Sequence, residues 1–143
     1  MPEQAFSAQK PLPKLDGPER PFWEGLRQRE VRVQLCDNGH YRFPASRYCP
    51  VCHSAQSRWI AVAPRGEVES ACVFHKPYFP GFASDMPYAV VQVKLESGVR
   101  FFSNLVGIAP ADIKIGTKVV AVFEDVSDEV TLLKFKPREG DLP

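Results

Sequence analysis

The sequence lacks a long apolar run and an excess of charge of one sign. No apolar run approaches the roughly 20 residues that a membrane span needs, and the first residues lack the basic and then apolar pattern of a signal peptide. Lysine and arginine number 18, against 17 aspartate and glutamate residues. Such a balance creates no strong field toward nucleic acid or anionic lipid. We therefore expect a cytoplasmic protein that is not a dedicated nucleic-acid binder.

Three catalytic or nucleotide-binding motifs are also absent: Gly-x-Ser-x-Gly, a phosphate loop and a dinucleotide fingerprint. The remaining enzyme hypothesis pairs Cys72 with His75 as nucleophile and base. On an extended strand, residues three apart point to opposite faces, so the imidazole would not reach the thiol. Cys72 is instead expected to be a small buried apolar residue. An enzyme that acts alone is therefore disfavoured.

The chain has 143 residues, 44% of them hydrophobic, which suits one ordinary domain or two very small ones. Five prolines within residues 1–21 predict an extended or disordered tail. Pro21 then precedes an amphipathic pattern that predicts a short helix at residues 22–30. Residues 138–143 are expected to form a second tail.

Residues 61–137 have the pattern of an all-β domain. Runs rich in valine and phenylalanine predict five strands, at residues 66–75, 88–95, 99–106, 118–123 and 131–135. One helical turn is expected between the third and fourth strands. This order is typical of a five-stranded OB-fold barrel, although an SH3-like barrel or a small sandwich would give a similar pattern. The predicted fold class is thus mainly β with an N-terminal helix.

Cysteine is scarce, yet three of the four cysteines lie close together in residues 31–60. In a reducing compartment this clustering indicates a metal before a disulfide. Cys49 and Cys52 form a Cys-x-x-Cys turn, which aims both sulfurs at one ion. Upstream stands Cys36 alone, and His40 follows it at a Cys-x3-His spacing that would complete a Cys3His set. The pattern therefore indicates a zinc knuckle.

Three interpretations of this knuckle are open. Zinc is held by Cys36, His40, Cys49 and Cys52, or by the three cysteines with another fourth ligand, for which His53 is a weaker substitute. Alternatively, the knuckle has lost its metal and keeps its shape by packing aromatic residues, namely Tyr41, Phe43, Tyr48 and Trp59. In each case the role is structural, because a catalytic ion needs an open position and convergent acid or base groups.

Aromatic residues on an irregular loop are the second candidate site. The loop joins the first two barrel strands and carries Tyr78, Phe79, Phe82 and Tyr88. Such clusters mark interfaces, and the alternative is a loop that folds back over its own barrel. In the third strand, alternation places Arg100 and Phe102 outside the barrel, where they would contact an adenine or a phosphate, or form a covered surface pair.

Several segments in a fixed order resemble one family. They are Phe22-Trp-Glu-Gly-Leu26, the Cys36 to Cys52 knuckle with Phe43-Pro44 inside it, Pro80-Gly-Phe82 before Pro87-Tyr88, Gly98-Val-Arg-Phe-Phe-Ser-Asn104-Leu, Ile115-Gly116 with Val119, and Phe135-Lys-Pro137. The family comprises small acyl-CoA-associated proteins with an N-terminal helix, a rubredoxin-like zinc ribbon and a C-terminal OB-fold. It has long been known as a domain of unknown function. The resemblance covers about Pro21 to Pro137.

The resemblance implies a non-catalytic accessory or scaffold subunit of a thiolase-superfamily complex. The partner would be an acyl-CoA thiolase, an acyltransferase or a retro-aldolase of steroid side-chain degradation, and a CoA thioester is a candidate ligand. The family's zinc ligands are four cysteines, of which Cys36, Cys49 and Cys52 match three. The alternative function is an OB-fold module for single-stranded nucleic acid, which the scattered and balanced charges disfavour.

Overall fold

The computed structural model describes residues 11–138. They contain one α-helix, α1 (Arg20–Arg27), and eight strands in two antiparallel sheets, so the predicted mainly β fold class is confirmed. No helix in this part of the chain combines the length and the apolar character that crossing a membrane requires. The strands are β1 (Val31–Cys36), β2 (Tyr41–Arg42), β3 (Ser57–Val62), β4 (Arg65–Phe74), β5 (Tyr88–Leu95), β6 (Arg100–Asn104), β7 (Lys118–Asp125) and β8 (Thr131–Pro137).

The helix starts and ends before the predicted limits of residues 22–30. Pro21 lies in its first turn, where the missing N–H has no helical partner to lose. After Arg27 the chain turns instead of continuing, since Arg29 adopts a left-handed conformation with φ 64°. Its N–H still donates to the Leu26 carbonyl at 3.0 Å, which closes the last turn.

The first sheet has the strand order β2-β1-β3 and contains the cysteine knuckle. The second has the order β6-β5-β4-β7-β8 and curves into a nearly closed barrel. Its two edge strands meet through a parallel bridge between Leu105 and Phe135. The Ser103 hydroxyl also donates to the Leu133 carbonyl at 2.5 Å. The predicted five-stranded barrel is therefore confirmed, with the expected helical turn at Pro110–Asp112.

One apolar core joins the helix, the first sheet and the barrel. Phe22 of α1 contacts Phe43 of the first-sheet region, with ring centroids 4.8 Å apart, and Phe43 contacts Phe101 of β6 at 4.3 Å. Leu26 and Val33 are fully buried in the same cluster. Because these side chains come from all three parts, neither the helix nor the first sheet packs independently of the barrel.

An ion pair ties the end of the helix to the barrel. The Arg29 guanidinium donates to both carboxylate oxygens of Asp125, at 3.0 and 2.7 Å. The Thr131 hydroxyl donates to the same carboxylate at 2.6 Å. Chiefly through Arg29, and next through Thr131, these bonds lower the pKa of Asp125 to about 2.

The stability contributed by Asp125 should depend on pH. A carboxyl whose pKa is lowered by folding stabilises the protein above its ordinary pKa near 4 and loses that contribution as the pH falls toward 2. We expect Asp125→Asn to reduce the free energy of unfolding at pH 7, and the difference from the parent to shrink between pH 4 and 2. Urea unfolding over this pH range measures it. Asp128→Asn, on the same exposed turn, is the control; a difference that persists at pH 2 would contradict the prediction.

Phe101 and Phe102 offer a matched pair of substitutions in β6. Phe101 is 5% exposed and Phe102 is 75% exposed, as the alternation of a strand requires. Phe101→Ala should cost about 3–5 kcal/mol of unfolding free energy, because it empties the aromatic contact with Phe22 and Phe43. Phe102→Ala should change the stability by no more than about 0.5 kcal/mol. Equal losses in chemical denaturation would show that Phe102 is needed for the fold.

Candidate metal centre and docking surface

The first half of the metal site is a hairpin turn whose ends are Cys36 and His40. The Cys36 N–H donates to the His40 carbonyl at 2.9 Å, and the Gly39 N–H donates to the Cys36 carbonyl at 3.1 Å. Gly39 has φ 86°, which suits the left-handed third position of a three-residue hairpin loop. Cys36 and His40 therefore face each other, with Sγ and Nδ1 3.5 Å apart.

The second half is the turn from Cys49 to Cys52. The backbone N–H groups of Val51 and Cys52 donate to the Cys49 sulfur at 3.4 and 3.5 Å. His53 donates its N–H to the Cys49 carbonyl at 2.9 Å and takes the left-handed conformation that ends the turn, with φ 62°. His53 thus shapes the knuckle, and its ring lies outside the cluster of ligand atoms.

The four residues expected to bind zinc come together. The ligand atoms of Cys36, His40, Cys49 and Cys52 all lie within 4.8 Å of one another. The sulfurs of Cys36 and Cys52 are 3.8 Å apart, and Nδ1 of His40 lies 3.6 Å from the Cys49 sulfur. Around a tetrahedral zinc with ordinary bond lengths, two sulfurs are separated by about 3.8 Å and a sulfur and a nitrogen by about 3.6 Å. The donor set fits a four-coordinate structural zinc.

Hydrogen bonds and burial act differently on the three thiols. The Asn38 side-chain amide donates to Cys52 at 3.2 Å and is the main cause that lowers the Cys52 pKa to about 7. Burial alone would raise the pKa of Cys49, but backbone N–H groups outweigh it and the pKa is lowered. Burial raises the pKa of Cys36. The lowered pKa values of Cys49 and Cys52 favour the thiolate, which is the form that a metal binds.

Polar contacts between the two turns were not predicted. The Ser54 hydroxyl donates to the Asp37 carboxylate at 2.7 Å, which links the second turn to the first. The buried Arg42 guanidinium donates to Gln34 at 3.2 Å and to the Ser54 carbonyl at 3.3 Å. A serine or an arginine in a short polar segment carries no sequence signal for such a role, because the contact exists only after both turns have folded.

The aromatic residues of the knuckle do not form the packing that a metal-free interpretation requires. Phe43 and Trp59 pack against the core. Tyr41 and Tyr48, however, are 38% and 54% exposed. Since half of the expected aromatic packing is missing, the geometry favours a knuckle held by ligands.

The candidate docking residues in the strands share the outer face of the barrel sheet. Tyr88 pairs with Phe74 of β4, and Phe102 pairs with Gln92 of β5. The inward face of β5 is buried, so Tyr88, Gln92 and their cross-strand partners point outward. Arg100 also lies outside, but its guanidinium is paired with Glu69 at 2.7 Å. Arg100 is therefore occupied within the chain.

Cys72 lies on this same outer face, and the expectation that it is buried is wrong. The residue is exposed and pairs with Val90 of β5. In β4, a β-bulge lies between Val68, which is buried, and Ser70. It reverses the alternation that would have pointed Cys72 inward, and no sequence pattern marks its position.

The aromatic loop and the end of the sheet form one cluster. Phe74 stacks on Tyr88 with centroids 5.3 Å apart, and Phe82 contacts Tyr88 at 5.5 Å. Tyr78 and Phe79 are 66% and 51% exposed at the rim. The loop therefore packs partly on its own sheet and still presents aromatic rings. We call the following set the aromatic face: Phe74, Tyr78, Phe79, Phe82, Tyr88 and Phe102.

A groove of about 900 Å³ lies beside the aromatic face. Its lining includes Phe82 and Tyr88 of the aromatic face and Leu105 and Leu132 of the barrel. Lys134 also lines it, and its ammonium is paired with Glu124 at 3.1 Å. The groove thus presents both apolar and polar groups.

Two family models match the chain in succession. The ChsH2 rubredoxin-like zinc ribbon domain matches residues 23–58, and the ChsH2 C-terminal OB-fold domain matches residues 59–124. The matches confirm the OB-fold among the barrel types that the strand pattern left open.

Curated relatives include subunits of larger proteins and small scaffold proteins. The probable enoyl-CoA hydratase alpha subunit of Thermomonospora curvata is 37% identical over 136 residues, which are 94% of this chain and 42% of the relative. The 3-oxo-4,17-pregnadiene-20-carboxyl-CoA hydratase alpha subunit of Mycobacterium tuberculosis is 34% identical over 107 residues, 75% of this chain and 34% of the relative. The chain spans less than half the length of both. A DUF35 domain-containing scaffold protein of Methanocaldococcus jannaschii is 32% identical over 127 residues, 82% of this chain and 89% of the relative.

Solved structures agree with these matches. The chain superposes on one from the Ltp2-ChsH2(DUF35) aldolase with a TM-score of 0.79 and 36% identity, covering 88% of this chain and 98% of the other. A DUF35 protein of unknown function from Sulfolobus solfataricus gives 0.58 at 17% identity, covering 83% and 84%, which supports the fold alone. From the matched ribbon and barrel models together with these full-length relatives, the chain belongs to the DUF35 family.

Proposed function

We propose that the chain is a non-catalytic accessory subunit that docks on a thiolase-superfamily enzyme acting on acyl-CoA thioesters. The names of the relatives support this proposal, since they include scaffold proteins and a chain from an aldolase assembly. The two hydratase alpha subunits extend well beyond the matched region, so their reactions are not transferred to this chain. The partner would supply the nucleophile and the acid or base.

The observation that carries the proposal is the exposure of the aromatic face. Phe102 is 75% exposed in the middle of a regular strand, and Tyr78 is 66% exposed on the adjoining loop. Aromatic rings are enriched in protein interfaces, where their burial contributes much of the binding energy. The fold itself does not use Phe102, because its neighbour Phe101 fills the core. A partner surface that covers the aromatic face would remove these rings from water.

Cys72 and His75 do not form a nucleophile–base pair. Cys72 faces solvent on the outer sheet face, and no hydrogen bond joins its thiol to His75 in the described part of the chain. A nucleophilic thiol requires a base within hydrogen-bond distance.

The groove beside the aromatic face is our candidate contact for the CoA thioester. Its volume of about 900 Å³ falls within the range of small-molecule sites. Apolar side chains of its lining, among them Leu132, would contact an acyl group, and the ion-paired Lys134 would contact a polar part of the ligand. A partner docked on the aromatic face would place its own reactive groups next to this opening.

We also propose that Cys36, His40, Cys49 and Cys52 hold a structural zinc. When bound, the ion cross-links the two turns of the knuckle. The sulfur and nitrogen separations support this ligand set, and the four donors leave no open position for catalysis. His40 would replace the fourth cysteine of the family pattern.

Docking is tested by isolating the tagged chain from its native cell and identifying the retained proteins by mass spectrometry. We expect a thiolase-superfamily enzyme in stoichiometric amount with the parent chain, and its loss with Phe79→Asp combined with Phe102→Asp. Both residues are more than half exposed, so the variant should stay folded. Val51→Asp is the control, because Val51 is 64% exposed on the zinc knuckle, outside the aromatic face.

Two outcomes would contradict the docking proposal. One is retention of the enzyme by the double variant, which would exclude the aromatic face. The other is the recovery of the parent chain without any enzyme of this superfamily. If Val51→Asp lost the enzyme and the double variant kept it, the interface would lie at the knuckle and not at the aromatic face.

The zinc proposal is tested by metal analysis of purified variants. We expect one zinc per parent chain and per His40→Cys chain, because both retain four ligands. His40→Ala should lose most of its zinc to a chelator, since one of the four donors is gone. His53→Asn should keep the metal, because asparagine also tolerates the left-handed turn position. A zinc-free parent would contradict the site, and a stable zinc in His40→Ala would exclude His40 as a ligand.

A further inference from the structure

Asn38 contacts two sulfurs of the metal cluster without offering a ligand atom of its own. Its backbone N–H donates to the Cys36 sulfur at 3.3 Å, within the first turn. Its side-chain Nδ2 donates to the Cys52 sulfur at 3.2 Å, across to the second turn. The two sulfurs lie 3.8 Å apart, the separation expected of neighbouring ligands.

The side-chain bond differs from the other hydrogen bonds to these sulfurs. In residues 11–138, apart from contacts among the four ligands themselves, the other hydrogen bonds to these sulfurs come from backbone N–H groups of the same turn: Asn38 and His40 for Cys36, and Val51 and Cys52 for Cys49. Backbone donors follow from the turn conformation and survive most substitutions. The contact from Asn38 instead depends on one side chain, and it spans the two halves of the site.

Of the three ligand cysteines, Cys52 is the one that packing restrains least. Cys36 and Cys49 are 1% and 0% exposed, so packing limits their side chains to few conformations. Cys52 is only partly buried. A donor aimed at its sulfur therefore restricts the thiolate that has the most freedom, and it also delocalises negative charge from a cluster of three thiolates.

We propose that Asn38 is a positioning residue of the metal site, holding the Cys52 thiolate in ligand geometry from the opposite turn. The inference rests on the zinc site proposed above. Side chains that orient metal ligands through hydrogen bonds typically contribute 10- to 100-fold to metal affinity. The effect requires the Nδ2–H donor, because the backbone contact to Cys36 remains when the side chain is changed.

Three variants of the full chain separate this role from a merely mechanical one. Asn38→Ala removes the donor, and Asn38→Asp replaces it with a group of the same shape that does not donate when ionised. Ser54→Ala is the matched control. It removes the Ser54–Asp37 bond, a second side-chain link between the two turns, and leaves the Asn38 bond to Cys52 in place.

The measurements are the zinc dissociation constant, from competition with a chromophoric chelator, and the absorption of the cobalt(II)-substituted protein. We expect Asn38→Ala and Asn38→Asp to bind zinc about 10- to 100-fold more weakly. Their sulfur-to-cobalt charge-transfer band should move to lower energy, because the Cys52 sulfur has lost a donor. Ser54→Ala should stay within about threefold of the parent, with an unshifted band. Asn38 and Ser54 lie outside the shared core, and near-ultraviolet circular dichroism checks that the barrel is intact.

The outcomes are distinguishable. A parent chain with one zinc and Asn38 variants of unchanged affinity and spectrum would overturn the role of Asn38 while the metal site stands. Equal weakening in Ser54→Ala would show that any link between the turns suffices, which also overturns it. A parent chain that binds no zinc would overturn both the site and the inference.

Discussion

The contact of Phe22, Phe43 and Phe101 is the interaction on which the rest of the structure depends. It brings together a ring from the helix, one from the knuckle region and one from a barrel strand. Neither the eight-residue helix nor the three-stranded sheet has a second apolar layer, so each buries its apolar side against the barrel. The metal site and the aromatic face are thereby parts of one framework, each held by elements that share this core.

Within this framework, some residues are buried and stabilise the fold, while neighbouring residues are exposed and available for other contacts. Within one strand, Phe101 fills the core and Phe102 lies in water. Within one turn, Cys36 is buried in the cluster and Asn38 is exposed beside it, reaching across to Cys52. This arrangement suits the accessory subunit proposed above. Such a subunit would contribute a rigid, exposed binding surface, and the partner would supply the reacting groups.

Much of this was predictable from local patterns. The second barrel strand runs over the predicted residues, and the ligand cluster joins the four residues proposed from their spacing. Both follow from short-range rules, the period of a strand and the reach of a turn. What the sequence did not predict concerns the pairing of strands and contacts between distant segments. Cys72 was expected to be buried because its strand is apolar, but a β-bulge between Val68 and Ser70 turns its side chain to the outer face. No sequence signal marks the contact of Asn38 with Cys52, since the two residues lie in different turns.

By itself, the sequence determined the strand pattern, the two half-sites for a metal and the presence of unusually many aromatic rings on one loop. These features are local, and each is decided by residues a few positions apart. Only the tertiary structure decided that Cys72 faces outward, that Tyr88 and Phe102 share one sheet face, and that His40 rather than His53 joins the cysteines. The reason is physical: exposure and coordination are set by which distant segments pack together, and the long-range pairing of strands and turns is not encoded at any single position.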